Sequence, residues 1–355
     1  MDTTIKKRQS GNGVTGGALD ARFSFIDLFA GIGGFRIGLE ALGGKCVFSV
    51  ERDKFSRRTY EEWFGSPPDG GDINHIDIAS IPPHTIMTAG FPCPAFSKAG
   101  ESKRKSLGRK TGLDAEDDGQ HIFTLAEVLG TCRPPAFLFE NVSNLLTRDK
   151  GKTWDVIHAL LTDAGYSVFA KVFNAKHFGV PQGRERVMIV GFDTGRFGDA
   201  PQFQFPEPQR RIVPVLADIL EQCPNPKHTL RDGTWNFLQR HKAKHAAKGN
   251  GYGFSFASPH EVTNTLSARY GKDGSEILIE QQGKNPRKLS PRETARLMGF
   301  PEHLPIVVSN TQAYRQFGNA VVPAIVEAVG AEVINVLERH STAAHLDAAM
   351  PRMTG

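Results

Sequence analysis

Three observations predict an α/β fold with a doubly wound, mostly parallel sheet of Rossmann-like type and a second, smaller irregular domain. Short apolar runs alternate with segments of helical spacing through the first half of the chain. The first run breaks into Gly31-Ile32-Gly33-Gly34 before helical spacing resumes, which reads as strand, tight turn, helix. Two of the runs end in carboxylates, Glu51 and Glu140, so candidate groups fall at the carboxyl ends of strands, where open α/β sheets bind their ligands.

The elements follow in order. Residues 23–30 are the first strand, and Phe35, Ile37, Gly38 and Leu39 continue the helix after it. Residues 45–50 form a second strand and 53–64 a helix with Asp53 as its N-cap. Gly71-Asp72-Ile73 marks the end of a third strand, 86–89 a fourth and 136–139 a fifth, with a helix over 122–131 between the last two. A helix over 152–164, a strand over 166–173 and a strand over 187–192 complete the sheet. After Asp193 the chain turns richer in Pro, Gly, His and Lys, with little periodicity. Helical patterning returns at 290–298 and 321–337. The expected division is a tail over 1–20, a catalytic domain over 21–193, a small lobe over 194–286, a return to the catalytic domain over 287–340 and a second tail over 341–355.

The chain has 355 residues, 39% hydrophobic and 23% charged, enough for a sizeable core. No apolar run approaches a membrane span, and the polar, Gly-rich N-terminus carries no signal-peptide pattern, so a cytoplasmic protein is expected. The net charge of +5 and pI near 9.0 only hint at an anionic partner. Cys46, Cys93, Cys132 and Cys223 are far apart with no Cys-x-x-Cys, which points to a reducing compartment, thiols that are mostly buried, and no metal knuckle.

Cys93 is the exception among these thiols. It lies between two prolines in Gly90-Phe91-Pro92-Cys93-Pro94, directly after an apolar run, and a basic segment follows it. A thiol there and a carboxylate at Glu140 can face one pocket, an arrangement suited to nucleophilic attack on a ring that is protonated as it is attacked. The glycine turn alone is less specific. It serves close strand–helix packing as well as it serves a phosphate-bearing ligand, and its spacing is not G-x-G-x-x-G.

Taken in order, FIDLFAGIGG (25–34), Glu51, Gly71-Asp72-Ile73, GFPCPAFS (90–97), Glu140-Asn141-Val142, QGRER (182–186), RKLSPRETARLMGFP (287–301) and QFGNAVVP (316–323) closely resemble the motif blocks of the DNA (cytosine-5) methyltransferases of bacterial restriction–modification systems. The resemblance covers nearly the whole chain. It implies S-adenosyl-L-methionine as cofactor, with Phe29, Gly31, Ile32, Gly33 and Pro92 lining it, Glu51 on its ribose, Arg52, Asp72 and Ile73 at its adenine, and Asn319 and Val321 closing over its methionine end. Three positions depart from the family pattern: Arg52 where an aromatic residue is common, Gln120-His121 where small or apolar residues are usual, and Thr85 where an acidic residue is common.

The chemistry follows from the residue types. A Cys93 thiolate adds to C6 of cytosine, and C5 then becomes nucleophilic enough to take a methyl group. Glu140 neutralises charge at N3, and Arg186, with Arg184 beside it, holds O2. The target must leave the DNA stack, at a cost of roughly a few kcal/mol. Ser97, Lys98 and Arg104 lie in a polar loop expected to close on the duplex. The family keeps its target-recognition region where this chain has its small lobe; there Arg231, Arg240 and Lys244 offer phosphate or guanine contacts, and Thr265 and Arg269 resemble the region's end. A C-C-G-G or C-C-(A/T)-G-G-like site, double-stranded DNA as partner, a monomer, and a cognate restriction endonuclease without a stable complex complete the expectation. His241 and His245 read as helix-surface histidines rather than metal ligands. Competing readings are a nucleotide-cofactor oxidoreductase, which leaves Cys93, Glu140 and 182–186 unexplained, a non-catalytic DNA-binding relative, and an RNA cytosine methyltransferase on the same scaffold.

Overall fold

A computed structural model of the chain describes residues 21–91, 121–208 and 213–349. β1 (Phe23–Leu28) stops two residues earlier than expected, because Phe29 turns to a left-handed conformation (φ 60°) and carries the chain out of the sheet. α1 (Gly34–Glu40), β2 (Gly44–Val50) and α2 (Lys54–Phe64) follow, and Asp53 caps α2 as predicted, accepting from the amides of Phe55 and Ser56. The expected strand end at Gly71-Asp72-Ile73 is instead a single bridge, Val50 to Gly70, followed by a 3-10 turn over Ile73–His75 that Asp72 caps. Asp72 is too committed to that turn to extend a strand.

β3 (Ile86–Ala89) matches its expected span, and α3 (His121–Cys132) and β4 (Ala136–Val142) run slightly longer than predicted. α4 (Lys152–Asp163), β5 (Tyr166–Asn174) and β6 (Glu185–Asp193) complete the sheet, whose order is β2-β1-β3-β4-β6-β5. β2, β1, β3 and β4 are parallel; β6 runs antiparallel to both β4 and β5. The connection from β5 to β6 holds only a 3-10 turn (Ala175–Phe178), too little for the helical crossover that a parallel pair needs.

The two faces of the sheet separate cleanly. Phe25, Ile86, Leu138 and Val190 face one apolar cluster, together with Val326, Val329 and Val333 of the last helix. Their neighbours Ile26, Met87, Phe139 and Ile189 face the other, against Leu125 and Val128 of α3 and Ile157 and Leu161 of α4. This two-residue alternation across a sheet buried on both sides is what a doubly wound fold requires.

The small lobe is better ordered than its sequence suggests. Residues 194–286 carry α5 (Asp232–Ala246) and β7 (Leu278–Ile279), which pairs antiparallel with β8 (Arg287–Lys288) just beyond them. The lobe's own core is small: Leu230, Leu238 and Leu278, with Trp235 and Phe254 against them. Leu238 is the buried residue of α5, so the apolar period that would announce the helix is missing. Phe203, Leu216, Ile219, Leu266 and Tyr270 pack into the large cluster beside the sheet.

The chain then forms α6 (Pro291–Leu297), α7 (Asn310–Asn319), which the sequence reading missed, and α8 (Pro323–Ala349), which continues beyond residue 340, where a tail was expected. The expectation that no segment approaches a membrane span needs correction too. The helical stretch Asn310–Thr342 is long and apolar enough by length and composition, but 56% of its most apolar window is buried inside the fold. Its apolarity serves the core.

Candidate active site

A cavity of about 790 Å³ opens at the carboxyl ends of β1, β2, β3 and β4. Its first wall is the turn after β1, where Gly31 and Gly33 take left-handed backbone conformations (φ 57° and 83°) that a β-carbon would strain. Phe29, Gly31 and Ile32 line the cavity. Gly33 was expected to do so and does not: a β-carbon there would lie 2.4 Å from the Phe64 ring, so its role is close packing against α2.

Glu51, at the end of β2, is held by its neighbours' backbone. Its Oε2 accepts from the Gly31 amide at 2.8 Å and its Oε1 from the Asp53 amide at 2.6 Å. Burial pushes its carboxyl above the usual range, and these amides pull it back. On the rim, Arg52 is largely exposed and lies 3.6 Å from Asp72, while Arg315 pairs with Asp53 at 3.3 Å. The Asn74 amide, then Arg52, hold Asp72 below the usual carboxylate range. Ile73, Asn319 and Val321 complete this part of the lining.

At the other end of the cavity stand Glu140 and Arg186. Arg186 Nε lies 3.0 Å from Glu140 Oε1, and Glu140 is 8% exposed. Burial raises the Glu140 carboxyl, while Arg186 and, farther off, Arg184 pull it down. Asn141 beside it donates from Nδ2 to the carbonyl of Phe91 at 3.3 Å. The residue from which the chain continues to Pro92 and Cys93 is therefore anchored next to the Glu140–Arg186 pair. Pro92, Cys93, Ser97, Lys98 and Arg104 lie outside the described residues.

Arg184, expected beside Arg186, feels the charges of both Arg186 and Glu140. It borders the cavity but is 1% exposed, and its guanidinium donates to three main-chain carbonyls, those of Leu266, Gly318 and Ala320. These bonds leave Nε as the one guanidinium nitrogen without a hydrogen-bond partner among the described residues.

The chain matches the family model for C-5 cytosine-specific DNA methylases over residues 23–335. The chain belongs to that family. The methylase is 46% identical over 321 residues to the Type II methyltransferase M.SsoII of Shigella sonnei, covering 90% of this chain and 82% of that one. It is 39% identical over 339 residues to the Type II methyltransferase M.HpaII of Haemophilus parainfluenzae, covering 90% and 91%. Among solved structures, a methyltransferase of Entamoeba histolytica, EhMeth, aligns with a TM-score of 0.69 at 15% identity, covering 88% of this chain and 98% of that one, which establishes the shared fold.

The structure of the methylase also places the expected DNA-contacting residues. Arg231, Arg240, Lys244 and Arg269 are exposed, with Arg240 and Lys244 one turn apart on α5. Thr265 is half-buried, and its hydroxyl donates to the Gly183 carbonyl at 2.8 Å, so it serves the join between lobes. His241 and His245 lie together on α5 with tilted rings, centroids 4.3 Å apart, and His245 Nδ1 lies 2.7 Å from Asn250 Oδ1. Among the cavity residues not expected from the sequence as site residues are His121 and Gln316. His121, at the start of α3, packs edge-on to Phe29 at 5.0 Å. Gln316 lines the cavity while accepting from Thr59. The departure from family pattern at His121 was the available signal for the first; a missed α7 hid the second.

Proposed function

We propose that this methylase uses S-adenosyl-L-methionine to methylate C5 of a cytosine swung out of a specific duplex site, through a covalent bond between Cys93 and C6. The observation that carries the reading is the cavity itself. One end offers a carboxylate, Glu51, with the apolar Phe29 and Ile73 beside it, and the other offers the buried Glu140–Arg186 pair. That donor set fits a nucleoside with a diol and a flat ring at one end and a pyrimidine edge at the other. Glu51, Asp72, Phe29, Ile73, Asn319 and Val321 would hold the cofactor, which when bound supplies an electrophilic methyl group.

The chain's own groups do the rest. Glu140, whose hold on a proton burial strengthens, donates to N3 as electron density moves onto the ring, and Arg186 steadies both Glu140 and O2. Cys93 adds to C6 as a thiolate, and when the C5 proton is lost it departs by β-elimination. Exposed Arg231, Arg240, Lys244 and Arg269 supply phosphate or base contacts in the small lobe. The enzyme acts as a monomer in the bacterial cytoplasm on a C-C-G-G or C-C-(A/T)-G-G-like site, protecting DNA from a cognate restriction endonuclease with which it forms no stable complex.

Bisulfite sequencing of DNA from cells expressing the chain tests the activity and reads out the site. A duplex with 5-fluorocytosine at that site should trap a covalent adduct in the presence of S-adenosyl-L-methionine. Cys93→Ser should abolish the adduct and leave DNA binding measurable; an adduct that survives the substitution removes Cys93 from the mechanism.

A further inference from the structure

The joint between the lobes is built from polar side chains that read backbone. Gln182 is fully buried, and its Oε1 accepts from the Leu266 amide at 3.1 Å while its Nε2 donates to the Leu297 carbonyl at 2.7 Å. Around it, Thr263 N donates to Pro181 O and Gly183 N to Thr263 O, each at 2.8 Å. Arg184 extends this stitching across the molecule: Nη1 reaches Leu266 O at 3.1 Å, and Nη2 reaches Gly318 O at 3.2 Å and Ala320 O at 2.9 Å. Leu266 lies in the segment that carries Thr265 and Arg269. Gly318 and Ala320 flank Asn319, which lines the cavity. The two backbones are in direct contact as well. A β-carbon on Gly318 would lie 2.4 Å from the carbonyl carbon and oxygen of Ser267.

We propose that Arg184 is a positioning residue that couples DNA binding at residues 265–269 to cofactor binding at the Asn319 loop. The inference rests on the reading of the cavity as a cofactor site and of the small lobe as a DNA reader. A planar guanidinium fixes three acceptors in one relative arrangement, which a single ammonium does not. A duplex that holds 265–269 in place therefore holds the carbonyls on either side of Asn319 with it. Coupling of this kind is reciprocal: the cofactor tightens DNA binding by the factor by which DNA tightens cofactor binding.

The test is titration of the full chain with S-adenosyl-L-homocysteine, which does not turn over, first alone and then saturated with a duplex bearing the site found by bisulfite sequencing. The ratio of the two dissociation constants is the coupling. Wild type should show a ratio of about 5 or more, and Arg184→Lys a ratio within about twofold of unity. Gly318→Ala, which wedges the two backbones apart, should lose coupling similarly. Thr265→Val, which removes only the bond to Gly183 and is the variant least able to disturb folding, should lower the ratio partway. A purely structural role for Arg184 would weaken both affinities together and leave the ratio intact. A wild-type ratio of one, or wild-type ratios in both Arg184→Lys and Thr265→Val, overturns the coupling. If wild type binds neither ligand, the cofactor and DNA reading fails, and the coupling with it.

Discussion

Asp27 lies fully buried in β1, with the Thr88 hydroxyl 3.0 Å from its Oδ1 and no hydrogen-bond partner at its Oδ2 among the described residues. Burial raises its carboxyl to about 7; Thr88 and Arg36 pull it down and Glu51 pushes it up. The folded chain thus binds this proton more tightly than the unfolded chain does. Stability from this group is full below the ordinary aspartate range and declines as the pH rises to about 7. Asp27→Asn should remove that slope. Urea unfolding at about pH 5 and about pH 8 should show wild type losing on the order of 1 kcal/mol or more relative to the variant; parallel losses would mean that Asp27 is ionised throughout. At the cavity, Glu140→Gln keeps the shape but offers no titratable proton, and turnover should fall by roughly 10²-fold or more with cofactor affinity retained. A fall confined to KM would assign Glu140 to binding alone. Glu140 was legible as the carboxylate that follows an apolar strand, and it and Arg186 gained their roles from the ordered motif blocks around them. The packing of Gly33 and the backbone contacts of Arg184 and Thr265 were not legible, because a motif gives a residue's address but not the direction its side chain faces.

At the scale of elements, α6 shows what a sequence signature does specify. Ser290 and Glu293 form a reciprocal capping box, with Pro291 at the first position of the helix. Glu293 is also fully buried, accepting from both terminal nitrogens of Arg287 at 2.7 and 2.9 Å and from the Glu221 amide at 2.9 Å. It thus ties α6 to β8 and to the chain entering the small lobe. Ser290→Ala should cost about 1 kcal/mol, the loss of a cap. Glu293→Ala should cost about 3–5 kcal/mol, because it also strands the buried Arg287. Urea denaturation of both variants checks the ratio, and equal losses would reduce Glu293 to a cap. Most strands and helices of the sheet domain were readable from alternating runs and from caps such as Asp53. The reversal of β6 was not, since a buried strand looks the same in either direction. α5 showed only in the pairing of His241 and His245, because it buries a single residue, Leu238, and α7 was missed because its buried stripe includes Ala313, Gln316 and Gly318, which do not read as an apolar run.

Across the whole molecule, charge is arranged by task. Near the cavity six ionic groups are paired, Glu140 with Arg186, Asp72 with Arg52 and Asp53 with Arg315, while Glu51 and Arg184 are held by backbone. On α5, Arg240 and Lys244 are exposed, and neither figures in the ion pairs seen among the described residues. A net charge of +5 is modest, so binding to DNA must draw on local concentrations of such cations rather than on the global field. Each phosphate neutralised by the protein releases counterions, so the logarithm of the binding constant falls with the logarithm of salt by about 0.9 per contact. If α5 lies along the duplex backbone, Lys244→Ala should reduce that slope by about 1 and weaken all duplexes alike, and S-adenosyl-L-homocysteine affinity should stay unchanged. Arg240→Ala distinguishes the two kinds of contact. A loss of discrimination between the cognate site and single-base variants, at unchanged slope, makes it a base reader, whereas a uniform loss with a shallower slope makes it a phosphate contact. Should both variants retain the wild-type slope and site preference in fluorescence anisotropy titrations over a range of salt, α5 faces away from the duplex, and the DNA must be read by other parts of the small lobe.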